Sequence, residues 1–74
     1  METLVKSQVQ IEKERVILKM LHREILKCAK KDEYHYYWDI TSLDIKTINN
    51  ITYIIEKEGK IVNNKGTNFK IIRW

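Results

Sequence analysis

Between Thr3 and Lys31 the chain contains no glycine and no proline, and Leu, Glu, Lys, Gln and Met fill most of its positions. These residues favour helix, and nothing in the stretch interrupts one. Leu4, Ile11, Leu18 and Ile25 repeat every seven residues, Leu21 and Cys28 fill a second heptad position, and Ile17 widens the stripe. A further stripe of Val5, Val9, Val16 and Met20 lies beside it. A helix of this length reaches about 40 Å. A globule of 74 residues has a radius of gyration of only roughly 11 Å. An amphipathic helix needs one apolar face, and this one carries more. Either the helix crosses the domain and is covered on two sides, or the seam of Leu4, Ile11, Leu18, Leu21 and Ile25 pairs with a second copy of the chain as a homodimer.

The rest of the chain is short and alternates in character. Tyr34-His35-Tyr36-Tyr37-Trp38-Asp39-Ile40 reads as a strand, with Tyr34, Tyr36, Trp38 and Ile40 on one face and His35, Tyr37 and Asp39 on the other. The four aromatic residues form either one face of the core or a platform for stacking bases. Thr41-Ser42 supplies helix-capping residues, Asp44 suits a first helical turn, and Gly59 suits a helix end. The spacing predicts a second helix over Leu43–Glu58, burying Ile45, Ile48, Ile51 and Ile55. Lys46, Asn50, Tyr53 and Lys57 would share its polar face, flanked by Thr47 and Asn49. Two apolar runs around Asn63–Thr67 predict a hairpin, with Gly66 giving the turn its backbone freedom. Phe69 is expected on the core side with Tyr36 and Trp38.

These elements predict a single α+β domain over residues 1–74, in the order α-β-α-β-β. Residues 1–31 form its long N-terminal helix, and its sheet has three antiparallel strands. The net charge of +4 is unevenly spread. Residues 1–31 and 60–74 are each net basic, residues 32–59 are net acidic, and the last fifteen residues have four cations and no acid. A polyanion would therefore be met by the two ends of the chain.

Several classes are disfavoured. One cysteine and two histidines allow no intrachain disulfide and no Cys/His zinc cluster. No apolar run approaches the length of a membrane span, and Met1–Lys6 does not read as a signal peptide. The expectation is a cytoplasmic protein in a reducing compartment. No cofactor motif appears. His22 and His35 have no placed nucleophile nearby in sequence, so no enzyme is expected.

The stretch from Thr47 to Trp74 resembles the C-terminal half of a winged helix-turn-helix domain. The likeness lies in Ile55-Glu56-Lys57-Glu58-Gly59-Lys60-Ile61, then a hairpin turning at Asn63–Thr67 and returning through Phe69-Lys70-Ile71-Ile72. Thr41 to Gly59 has room for one good helix or for two very short ones broken near Asn49-Asn50, so the family's supporting helix is expected to be missing. The resemblance implies a transcriptional regulator that binds duplex DNA. Lys46, Thr47, Asn49, Asn50 and Tyr53 would face a groove, and Lys65, Asn68, Lys70 and, more remotely, Arg73 would meet the backbone. The alternative is a small interaction module or inhibitor, of the kind phages and mobile elements encode. It would dock its aromatic, acidic middle on a protein partner without nucleic acid.

Overall fold

The computed structural model describes residues 8–74, and within them the expected α+β order appears. Helix α1 spans Gln8–Lys30, β1 His35–Asp39, α2 Ile45–Lys57, β2 Ile61–Lys65 and β3 Phe69–Arg73. The expected helical residues before Gln8, with Leu4 and Val5 among them, lie outside the described residues. At 23 residues, α1 is about 34 Å long. The radius of gyration of 13.0 Å and extents of 45 × 24 × 20 Å exceed those of a compact sphere of this size.

Both helices end in the same way. After α1, Glu33 N–H donates to the Cys28 carbonyl and Asp32 N–H to the Ala29 carbonyl. After α2, Lys60 N–H reaches the Ile55 carbonyl and Gly59 N–H the Glu56 carbonyl. This pairing needs a left-handed residue at the turn. Gly59 adopts it at φ +95°, and Asp32 at φ +62°, a region that Asp tolerates better than most residues. At its start α2 is capped by Asp44, whose carboxylate accepts the Thr47 N–H at 3.3 Å. The expected caps, Thr41 and Ser42, lie upstream in a turn that Leu43 N–H closes onto the Ile40 carbonyl.

The three strands are antiparallel in the order β1-β3-β2. Tyr36 faces Ile72 and Trp38 faces Lys70 across β1–β3, while Val62 faces Ile72 and Asn64 faces Lys70 across β2–β3. Side chains alternate between sheet faces, so these residues share the face that the helices cover. The core consists of Trp38 and Ile72 from the sheet, Leu21 and Ile25 from α1, and Ile48, Ile51 and Ile55 from α2. The opposite face carries His35, Tyr37 and Asp39, then Phe69, Ile71 and Arg73, then Ile61, Asn63 and Lys65.

Three expectations about the core are corrected. Phe69 pairs with Asp39 and Lys65, which puts it on the outer face, and Ile72 takes its place inside. The reason is the hairpin loop: β2 runs on through Asn63, Asn64 and Lys65, and only Gly66, Thr67 and Asn68 connect the strands. Ile45 is 71% exposed, because it sits in the first turn of α2 at the margin of the stripe set by Ile48, Ile51 and Ile55. Thr47, expected on the polar face, is fully buried. It stands four and eight residues before Ile51 and Ile55, which aligns it with the buried side.

Replacing Ile51 with Ala is expected to destabilise the domain by about 2–5 kcal/mol, whereas Ile45→Ala changes stability by less than about 0.5 kcal/mol. Urea unfolding of the two variants checks the assignment. Equal losses from both would show that the apolar face of α2 is oriented differently.

Candidate nucleic-acid interface

The chain leaves the sheet at the hairpin end. Asp39, the last residue of β1, pairs with Phe69. Ile40 N–H then donates 2.9 Å to the Asn68 carbonyl in the hairpin loop. Helix α2 starts five residues later, so the chain enters it from the hairpin end of the sheet. Lys46, Asn49 and Tyr53 are exposed on α2. The Lys57 ammonium stands 5.5 Å from the centre of the Tyr53 ring, a cation–π distance. Lys65 and Asn68 are exposed at the hairpin.

The two hairpin lysines point to opposite faces. Lys65 is on the outer face beside Phe69. Lys70 lies across from Trp38 on the inner face and is half-buried, and its ammonium donates 2.7 Å to the Asn64 side-chain carbonyl. Arg73 is exposed on the outer face at the far end of β3, beside Ile61 and His35. It is therefore separate from the hairpin loop.

Thr47 and Asn50 do not face solvent as expected. The Asn50 amide donates 2.8 Å to the Glu14 carboxylate, which also accepts from Gln10 at 2.6 Å. The Gln10 amide donates 3.1 Å to the Thr47 hydroxyl, and that hydroxyl donates 2.7 Å to Asp44. Lys13 donates 3.0 Å to the same Asp44 oxygen. Glu14 is only 5% exposed, so these polar groups form a bonded seam between α1 and α2. Burial of a carboxylate is tolerable only with such partners.

A second α1–α2 contact lies at the opposite end of α2. His22 Nε2 is 3.0 Å from both oxygens of Glu58, and Lys60 is 3.4 Å from one of them. Burial acts to raise the Glu58 carboxyl pKa, but the hydrogen bonds and charges of His22 and Lys60 outweigh it and leave it lowered. Neither seam is evident from the sequence, because each joins residues more than thirty positions apart. Cys28 is half-buried, and desolvation, aided by Glu33, pushes its thiol up, as for an unreactive thiol.

The proposed dimer seam is divided by the fold. Leu21 and Ile25 are buried in the domain's own core and are unavailable to a second chain. Ile11 and Leu18 are half-buried and line an open groove with Arg15, Lys19 and His22. Leu4 lies outside the described residues. On the other flank of α1, Val9 is 78% and Val16 63% exposed, with Met20 beside them at 38%. No helix among the described residues is long and apolar enough to cross a membrane. No protein-family model matches the chain, and no curated protein or solved structure is significantly similar to it.

Asp44 leads to a pH prediction. Hydrogen bonds from the Thr47 side chain, and then from Lys13, hold its carboxyl well below the ordinary 3.8. A carboxyl with a depressed folded pKa stabilises the fold above its unfolded pKa and loses that contribution as pH falls toward the folded value. Stability is therefore expected to fall below about pH 5. Asp44→Asn keeps a capping side chain and is expected to make that acid limb shallower. An unchanged limb in pH-dependent urea melts would remove Asp44 from this account.

Proposed function

We propose that the chain binds duplex DNA, with the exposed face at the start of α2 entering a groove and the β2–β3 hairpin resting on the adjacent backbone. One observation carries the reading. The Ile40–Asn68 hydrogen bond closes β1 onto the hairpin loop, so Lys46 and Asn49 start from the same end of the domain as Lys65, Asn68 and Lys70. Lys supplies phosphate contacts, which position a protein without reading sequence. Asn49 is the α2 residue suited to a base edge, because Asn pairs with adenine in the major groove and Asn50 is held by Glu14. Thr47 and Asn50 leave the proposed contact set, and Arg73 lies too far along β3 to join the hairpin.

A second copy of the chain is proposed to cover the groove beside Ile11 and Leu18. What supports it is a helix with two incompletely covered apolar flanks in an elongated domain. A dimer would present two hairpins to one duplex. Ile11→Glu is expected to convert a sedimenting dimer into folded monomer. A parent chain that sediments as monomer at micromolar concentration contradicts the pairing.

The duplex reading is tested by titrating a mixed-sequence duplex at low salt. Lys65→Ala with Lys70→Ala is expected to weaken binding to all sequences alike. It should also flatten the plot of log affinity against log salt by about 0.9 for each phosphate no longer neutralised. Asn49→Ala should instead alter the preference among sequences. Absence of binding, or a salt slope untouched by the double replacement, rules the hairpin out as a phosphate contact. Lys65 would then serve only to keep the β2 edge of the sheet soluble.

A further inference from the structure

The outer face of the sheet is unusual for a face that no helix among the described residues covers. Antiparallel sheets with one solvated face normally alternate apolar inside and polar outside. Here Tyr37, Phe69 and Ile61 point outward at 48%, 40% and 59% exposure. Ile71, at the centre of the same face, is only 8% exposed although it stands outside the main core cluster. Tyr37 is its partner across β1–β3, and Phe69 and Arg73 are its neighbours two residues away on β3, so the surrounding side chains shield it. His35 meets Tyr37 edge-on at 5.4 Å between ring centroids. The result is an aromatic and aliphatic floor on the outer face.

Cations bracket that floor. Lys65 flanks Phe69 at the hairpin end, and Arg73 stands four residues further along β3, about 14 Å away at the rise of an antiparallel strand. Among the described residues Asp39 is the face's one carboxylate, and its Oδ1 already accepts the Thr41 N–H at 2.9 Å. Five-residue strands at ordinary strand spacing give a face on the order of 200 Å². A stable protein–protein interface buries about 800 Å² on each partner, so a folded partner or a second copy would find too little here. Two or three unpaired bases fit an area of this size.

We infer that the outer sheet face binds single-stranded nucleic acid, with Tyr37 and Phe69 stacking on successive unpaired bases and Lys65 and Arg73 contacting the phosphates on either side. Aromatic residues on an open sheet accept any base face, and nearby cations track the backbone. The site is separate from the proposed duplex contacts on α2 and on the inner side of the hairpin, and shares only Lys65 with them. It does not depend on the duplex reading.

The test uses the full chain with fluorescein-labelled octamers of thymidine and of uridine at low salt, read by anisotropy. The parent is expected to bind at micromolar concentration. Tyr37→Leu and Phe69→Leu keep apolar cover over Ile71 but remove the ring. Each should weaken binding about tenfold with an unchanged melting transition, and Arg73→Gln should flatten the salt dependence. Lys70→Ala separates the two sites, since it should affect duplex but not octamer. Loss of duplex binding with octamer binding intact leaves this inference standing and removes only the duplex reading. The inference is overturned if the parent does not bind octamers, or if both Leu variants bind as the parent does. Octamer binding abolished by Lys70→Ala, or self-association through Tyr37 in place of octamer binding, also overturns it.

Discussion

Three strands of five residues cannot hold together without a cover, because a small sheet needs an apolar face packed against something else. Trp38 and Ile72 supply that face, and both helices must reach it. Helix α1 contributes Leu21 and Ile25, and α2 contributes Ile48, Ile51 and Ile55. With both helices committed to one side of the sheet, no other element among the described residues covers the other side. The exposed aromatic face and the free hairpin are consequences of that one-sided packing.

Polar chemistry then sets how the two helices lie on each other. Glu14 is buried with Gln10 and Asn50 as donors, and Asp44 both caps α2 and accepts from Lys13. Near the other end of α2, His22 and Lys60 hold Glu58. Such contacts require a specific alignment of α1 and α2, which apolar packing alone does not impose. By fixing the start of α2 they also fix where Lys46 and Asn49 stand relative to the hairpin. The same network engages the Asn50 amide and the Thr47 hydroxyl.

Much of this fold is legible in the residues. Absence of Gly and Pro through Lys31 marks α1, the alternation from Tyr34 to Ile40 marks β1, and Gly59 marks the end of α2. Two errors come from local ambiguity. Asn63 and Asn64 look like turn residues, yet β2 is an edge strand and tolerates them, so the loop falls at Gly66–Asn68 and Phe69 changes face. Asp44 and Thr47, three apart, carry a capping pattern that outweighs Thr41-Ser42, and the spacing of Thr47 to Ile51 and Ile55 already places it inside. The Glu14–Asn50 and His22–Glu58 contacts are different. They join residues 36 positions apart, and no pattern within either helix reveals them.

The proposal that nucleic acid meets the hairpin end of the domain is tested most directly by amide chemical-shift mapping during titration with a short duplex. Shifts are expected to cluster at Lys46–Asn49 and Lys65–Lys70, with Leu21 and Ile25 unmoved in the core. Shifts confined to α1, or none at saturating duplex, would contradict it.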